Sequence, residues 1–246
     1  MRAVVITKHG GPGVLEVRER SDPELGPGQV RIAVAAAGVN FADVMARMGL
    51  YPDAPKPPCL VGYEVAGTVL ELGGGVGGLS HGQRVVAGTM FDGYASQAVV
   101  PADDVIGLPE GLTFEQGAAI PVNYATAWAG LLGYGSMQPG ERVLVHSAGG
   151  GVGVAATQIA KRHGAEVYGS ASPGKHERIR ELGVDHAIDY TVSGWEKGLP
   201  SFDLVLDAIG GRSSGAATRC CAPAGGWWRS APRRSCPASG ATCSRR

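Results

Sequence analysis

Short, valine-rich runs of apolar residues fill the first half of the chain, and turns containing glycine or proline separate them. Runs of this kind are typical of β-strands, and many short strands in regular succession indicate a barrel or a folded sheet. The pattern predicts strands at 3–7, 14–19, 29–37, 64–72, 84–87 and 94–100.

After residue 142 the pattern changes to an alternation of strands and helices. It predicts strands at 142–147, 166–169, 187–190 and 202–207, with helices at 152–163 and 175–182. Such alternation is typical of an α/β domain with a doubly wound parallel sheet. A linking helix is predicted at 122–134 and a domain boundary near 117–121. We therefore expect two domains, at 1–120 and 121–216, which a chain of 246 residues is long enough to form.

A glycine-rich turn lies between the first strand and the first helix of the second half. Glycines let the backbone approach a pyrophosphate closely, and a helix N-terminus attracts its negative charge. The spacing is Ser147-x-x-Gly150-x-x-Gly153, which departs from the usual G-x-G-x-x-G. Its place between a strand and a helix nevertheless predicts a dinucleotide site that includes Ser147, Gly150, Gly151, Val152 and Gly153.

The second strand of this half indicates which cofactor is preferred. Sites that prefer NAD place Asp or Glu about 20 residues beyond the glycines. Counting from Gly150 arrives at Ser170, and Lys175 follows it. Hydroxyl groups and a lysine attract a phosphate that a carboxylate would repel, so the sequence predicts NADPH, with Ser170 and Lys175 at its 2′-phosphate. The alternative is that Lys175 is a solvated residue in the first turn of a helix.

Composition narrows the possible partners. The chain is 44% hydrophobic and 18% charged, with a formal net charge of zero. It contains neither an apolar run long enough to span a membrane nor a signal-peptide pattern. We therefore expect a cytoplasmic protein that binds neither nucleic acid nor membrane.

The last 30 residues differ from the rest. Residues 217–246 contain six arginines, four of the five cysteines and no Asp or Glu. They could form a basic binding tail or a cysteine module, although the cysteine spacings match no common zinc pattern. We favour a third interpretation, a change of reading frame after about residue 216. It predicts an aberrant, disordered tail at 217–246, an incomplete second domain and a chain that is not a stably folded enzyme.

Five ordered blocks carry a resemblance to a known family. They are Gly38-Val-Asn-Phe-Ala-Asp43, Gly62-Tyr-Glu-Val-Ala-Gly-Thr-Val69, Gly82-Gln-Arg-Val85, Ala118-Ala-Ile-Pro-Val-Asn-Tyr-Ala-Thr-Ala-Trp128 and His146–Gly153. Together they resemble the medium-chain dehydrogenase/reductase superfamily, in its zinc-free quinone oxidoreductase (ζ-crystallin-like) branch. The Pro-Val-Asn-Tyr-x-Thr-Ala segment resembles the subgroup of the synaptic-vesicle membrane protein.

This resemblance implies an N-terminal GroES-like β-barrel domain followed by a Rossmann domain that binds NADPH. It implies an NADPH-dependent reductase of quinones or α,β-unsaturated carbonyls, as in enoyl reductase domains. Hydride would pass to the conjugated system and a proton would come from solvent or a bound water. The family is usually homodimeric, but the late strands that build its dimer are missing from this chain.

The resemblance also assigns residues. It places Asn40 and Thr126 near the nicotinamide and its ribose, Tyr51 in the substrate cleft, and Lys175 and Tyr190 at the 2′-phosphate. The candidate catalytic residues are Asn40, Tyr51 and Asp43. Tyr51 could instead be an aromatic lid over the barrel.

The role of Asp43 is open to more than one interpretation. Asp43 follows Asn40 by three residues and could orient that loop or serve as a helix N-cap or first-turn carboxylate.

Zinc enzymes of the superfamily have Cys and His where this chain has Asn40 and Tyr63, which are not ordinary zinc ligands. We therefore expect no metal, a structural role for Glu64 and a buried apolar role for Cys59. The alternative functions are a non-catalytic NADPH-binding protein and an inactive truncated fragment.

Overall fold

The computed structural model describes residues 1–207 and a strand at 242–245. The chain divides into two compact units, Met1–Val122 and Asn123–Arg246. The sequence pattern placed the boundary at 117–121, a few residues earlier.

The first unit is built from antiparallel strands. They are β1 (Arg2–Ile6), β2 (Leu15–Glu19), β3 (Gln29–Ala37), β4 (Glu64–Leu72), β5 (Arg84–Gly88), β6 (Gln97–Pro101) and β7 (Val105–Gly107). Strands β1 and β2 form a two-stranded ribbon, and the others form a sheet in the order β6-β3-β4-β5-β7. Isolated bridges, such as Ile6 with Cys59, extend the pairing of the ribbon. Strands β3 and β4 have the bounds that the sequence predicted, whereas β7 was not predicted.

Two short helices accompany this sheet, α1 (Phe41–Met48) and α2 (Phe114–Ala118). Alternation along the strands buries one face: Val30 and Ile32 of β3 are fully buried together with Val65 of β4. Helix α1 begins after Asn40, whose extended backbone and polar side chain suit an N-cap.

The second unit contains a parallel sheet. Its elements are α3 (Pro121–Trp128), which continues as a π-helical segment at Ala129–Tyr134, then β8 (Arg142–Val145), α4 (Gly151–Arg162), β9 (Glu166–Ala171), α5 (His176–Glu181), β10 (His186–Asp189) and β11 (Leu204–Asp207). Strands β10, β9, β8 and β11 lie side by side in that order and are all parallel. This confirms the predicted α/β class with a parallel, Rossmann-like sheet.

Residues on successive positions of β8 pack on opposite faces of the sheet. Val143 and Val145 pack with Ala156 of α4 and Ile179 of α5. On the other face Leu144 packs with residues that include Trp195, from the segment between β10 and β11. The carboxyl ends of β8 and β9 meet at one edge, the usual position of a ligand site in an open α/β sheet.

A final strand, β12 (Thr242–Arg245), pairs antiparallel with β11. The sequence predicted an open edge beside β11 and disorder over 217–246, so these four residues differ from that expectation. The exposed N–H and C=O groups of an edge strand accept any extended segment, and the last proline of the chain, Pro237, lies before β12. The other predictions for the tail fall in 208–241, outside the described residues.

Candidate functional site

The glycine-rich turn runs from the end of β8 to the start of α4. Ser147 has a left-handed backbone, with φ of 55°. Its carbonyl accepts a hydrogen bond from the N–H of Gly150 at 2.8 Å. Gly150 is the N-cap of α4 and has an extended backbone. The turn therefore closes on itself and leaves the first amides of α4 as candidate donors to an anion.

Gly153 is the glycine of this turn that the fold itself requires. A Cβ at this position would lie 2.2 Å from the carbonyl oxygen of Ser147 and 2.7 Å from Cα of Ala148. At Gly150 the nearest atoms would be 3.3 Å away. The helix therefore packs directly on the preceding turn at Gly153, whereas a Cβ at Gly150 would make a tight contact without overlapping another atom.

A small cavity lies beside the turn, at the carboxyl ends of β8 and β9. Ser147, Ser172, Lys175 and Tyr190 line it, with Gly149 and Ala171. The cavity is thus lined by one ammonium group and three hydroxyls and by no carboxylate. Among the described residues, Lys175 has no carboxylate partner. This combination of a cation and hydroxyl donors is suited to a phosphate group.

Ser170 does not line this cavity. Its side chain is fully buried, and its hydroxyl lies 3.0 Å from Nδ1 of His146. The sequence prediction that Ser170 contacts the cofactor is therefore not supported by its position, and Ser172, which the sequence reasoning missed, lines the cavity instead. Strand β9 ends at Ala171, two residues later than predicted, so Ser172 is the first residue beyond it.

In the first unit, Asn40 is held by a carboxylate. Its side-chain N–H group donates to Oε1 of Glu64 at 2.8 Å, while Oε2 of Glu64 accepts from the backbone N–H of Val122 at 2.7 Å. Glu64 is only 1% exposed, and this burial raises the pKa of its carboxyl. Because a carboxylate only accepts hydrogen bonds, Glu64 fixes which end of the Asn40 amide carries the nitrogen. The sequence showed no partner for Glu64 because Asn40 lies 24 residues away.

Asp43 forms the other half of this network. Its Oδ2 accepts from the backbone N–H of Asn40 and from the Tyr94 hydroxyl, both at 2.8 Å, and its Oδ1 accepts from the N–H of Gly62 at 3.1 Å. Burial raises the pKa of the Asp43 carboxyl, although these hydrogen bonds act in the opposite direction. Asp43 therefore orients the loop of Asn40 as a first-turn carboxylate of α1.

Aromatic rings surround the position where zinc enzymes have a histidine. The Tyr63 ring packs against Tyr51 at 6.1 Å and against Phe91 at 5.2 Å between centroids. Burial raises the pKa of the Tyr63 hydroxyl. Tyr51 is half-buried in this cluster, which suits either a wall of a substrate cleft or an aromatic lid.

The remaining predicted residues lie in the second unit. Thr126 is on α3 and Val152 is in the first turn of α4, where it packs on the core. The side chain of Asn123 also lies beside α4, since a Cβ on Gly151 would be 2.5 Å from its Oδ1. Sequence reasoning did not single out Asn123, although it belongs to the quoted Pro-Val-Asn-Tyr segment.

Within residues 1–207 and 242–245, no group of three or more His, Cys, Asp or Glu side chains is arranged to hold a metal ion. None of the helices in the described part of the chain has the length and hydropathy needed to cross a membrane.

Two protein-family descriptions match the chain. Residues 26–129 match the alcohol dehydrogenase GroES-like domain, and residues 151–227 match the zinc-binding dehydrogenase domain. The second match continues past residue 216, the predicted position of the frame change.

Similar proteins are known in several organisms. The human synaptic vesicle membrane protein VAT-1 homolog is 38% identical over 233 residues, which are 92% of this chain and 59% of that protein. The CurK enoyl reductase structure has a TM-score of 0.85 at 29% identity, covering 90% of this chain and 71% of its own. Escherichia coli quinone oxidoreductase complexed with NADPH has a TM-score of 0.83 at 30% identity, covering 90% and 70%. The chain thus spans little more than half the length of its curated human relative.

Proposed function

Because the chain belongs to the medium-chain dehydrogenase/reductase superfamily, with quinone oxidoreductases among its relatives, we propose that it is an NADPH-dependent reductase of quinones or α,β-unsaturated carbonyls. The observation that carries the choice of cofactor is the cavity lined by Lys175, Ser172 and Tyr190, without a carboxylate. One of the similar structures, Escherichia coli quinone oxidoreductase, is complexed with NADPH, which supports the same choice of cofactor.

The residues present fit a phosphorylated dinucleotide. Lys175 and the hydroxyls of Ser172 and Tyr190 would hold the 2′-phosphate, and the amides that begin α4 would hold the pyrophosphate. Because Gly150 has no side chain, a ligand can approach the backbone closely at the start of α4. NADH would leave Lys175 without an anionic partner, which is why we expect the phosphorylated cofactor to bind more tightly.

The first unit supplies groups that suit a metal-free reduction. NADPH, when bound, supplies the hydride. The Asn40 amide, oriented by Glu64, retains a free lone pair on Oδ1 for a ligand hydroxyl or amide. The rings of Tyr51, Tyr63 and Phe91 provide an apolar surface suited to a flat conjugated substrate. Asn40 and Tyr63 stand where zinc ligands would be needed, so the proposed reaction uses no metal.

Cofactor binding to the 246-residue chain tests this proposal. We expect NADPH to bind more tightly than NADH in a fluorescence titration. Lys175→Ala should weaken NADPH binding about 10- to 100-fold, the range for loss of a charge-assisted hydrogen bond of about 1.5–3 kcal/mol, with little effect on NADH.

Arg180→Ala is the matched control, because Arg180 is an exposed cation on α5, the helix that begins directly after Lys175, and does not line the cavity. It should leave both affinities unchanged. Equal losses for NADPH and NADH in Lys175→Ala would contradict the phosphate assignment. Tight NADPH binding without turnover of 1,2-naphthoquinone or an enone would favour a non-catalytic binding protein.

A further inference from the structure

Three buried polar side chains stand side by side on one face of the parallel sheet. Leu144 of β8 pairs with Tyr168 of β9 and with Val205 of β11. Two residues further along each strand are His146, Ser170 and Asp207, which are 2%, 0% and 4% exposed. Side chains two positions apart in a strand share a face, so these three form a polar row beneath the glycine-rich turn.

The row is not a hydrolytic triad. Ser170 bonds to Nδ1 of His146, and Nε2 has no partner among the described residues. A nucleophilic serine would also need contact with a substrate, and Ser170 is fully buried. The row therefore contacts the neighbouring backbone instead of reacting with a substrate.

The hydrogen bonds of Ser170 show that the polar row contacts the backbone of Ser147. The backbone N–H of Ser147 donates to the Ser170 hydroxyl oxygen at 3.4 Å, and the same hydroxyl is hydrogen-bonded to Nδ1 of His146 at 3.0 Å. Burial lowers the pKa of His146 and so favours its neutral form, although the negative charge of Asp207 acts in the opposite direction. Its ring packs edge-on against Trp195, with centroids 5.5 Å apart.

Ser147 needs such support because its backbone is strained. A left-handed conformation is unfavourable for a residue with a side chain and persists only where the surroundings impose it. The neighbouring amides are also fixed, since His146 N–H donates to Leu206 and Ala148 N–H donates to Ser170, both at 3.0 Å. Ser170 therefore contacts the turn through both its hydroxyl and its carbonyl.

We propose that Ser170 and His146 are a positioning pair that holds Ser147 in its left-handed conformation and so sets the turn for pyrophosphate binding. The ligand part of this inference rests on the proposed function, whereas the effect on the turn does not. Because the pyrophosphate is common to both cofactors, the pair should support NADPH and NADH equally, unlike Lys175.

Ser170→Ala tests the pair. It should accelerate hydrogen exchange at the amides of Ser147–Gly150 at least tenfold in the protein without cofactor. It should also weaken NADPH and NADH binding by the same factor, about 5- to 20-fold, and raise KM for NADPH without changing kcat at saturation. His146→Phe, which keeps an aromatic ring against Trp195, should have similar effects, and the double variant should be no worse than either single one.

Asp203→Ala is the control for stability alone. Asp203 accepts from the N–H of Arg142 at 2.9 Å, at the opposite end of β8, beside the start of β11. The Asp203→Ala variant should have a lower Tm, with unchanged hydrogen exchange in the turn and an unchanged KM for NADPH. Unchanged exchange at Ser147–Gly150 in both Ser170→Ala and His146→Phe would overturn the proposal. A loss confined to NADPH would also overturn it, by showing a direct phosphate contact. If both variants exchange faster in the turn but the wild-type chain binds neither NADPH nor NADH, the proposed function is refuted and the positioning pair stands.

Discussion

Replacing Gly153 with alanine separates the packing requirement of the turn from ordinary helix stability. The new Cβ would lie 2.2 Å from the Ser147 carbonyl oxygen and 2.7 Å from Cα of Ala148. Both atoms belong to the backbone, so no rotamer change relieves the overlap of about 1 Å. Overpacking of this kind costs about 1–3 kcal/mol, and the overlap on two sides places it near the upper end. Alanine recovers about 1 kcal/mol of helix propensity, which leaves a net loss of about 1–2 kcal/mol.

Calorimetry and cofactor titration together measure this effect. A net loss of about 1–2 kcal/mol corresponds to a fall in Tm of about 2–8 °C for a chain of this size. The shifted turn should also weaken NADPH binding at least about tenfold, as expected for one lost hydrogen bond to a charged phosphate. Gly150→Ser is the matched control, because serine is a favoured N-cap and its Cβ would make a tight contact of 3.3 Å with Ser147 instead of an overlap. That variant should lower Tm less than Gly153→Ala does and still lose NADPH affinity, since its side chain would stand where the ligand approaches the turn. A Gly153→Ala protein as stable as the wild type would refute the packing argument.

Three other outcomes follow from the structure. Burial raises the pKa of Glu64 above its ordinary value of 4.5, so its contribution to stability is present below pH 4.5 and is lost as pH rises through the raised pKa. In Glu64→Gln the free energy of unfolding, measured by urea titration, should therefore fall less steeply with pH above 4.5. An unchanged slope of free energy against pH would contradict this assignment. Activity should survive exhaustive chelation, and activity restored only with stoichiometric zinc would show that the metal-free mechanism is wrong. Amides of Leu204–Asp207 and Thr242–Arg245 should be protected together in hydrogen exchange, whereas rapid exchange at 242–245 alone would show an open edge beside β11.

Sequence periodicity was sufficient where elements are long and regular. Strands β3 and β4 have nine residues each and their predicted bounds agree with the structure. Helix α4, at Gly151–Arg162, differs by one residue at each end from the predicted 152–163. Strand β7 has only three residues, of which Val105 alone faces the core, so its pattern is too short to be recognised.

The candidate site was predictable where a glycine motif or the family resemblance pointed to its residues. Lys175 and Tyr190 were predicted to share a site with Ser147, and all three line one cavity. Ser170 does not line this cavity, because counting residues from the glycines does not reveal where β9 ends. The partnership of Glu64 with Asn40 and that of His146 with Ser170 depend on strand pairing, which the chain order alone does not give.

Transfer of deuterium from cofactor to substrate tests the proposed reaction most directly. The 246-residue chain would be incubated with an enone and with NADPH that carries deuterium at the transferable C4 position, and the product would be analysed by mass spectrometry and NMR. We expect one deuterium per product molecule, at the carbon β to the carbonyl, and a much slower reaction with labelled NADH. A chain that binds NADPH tightly but yields no deuterated product with enones, and reduces no quinone, would contradict the proposal that it is a reductase.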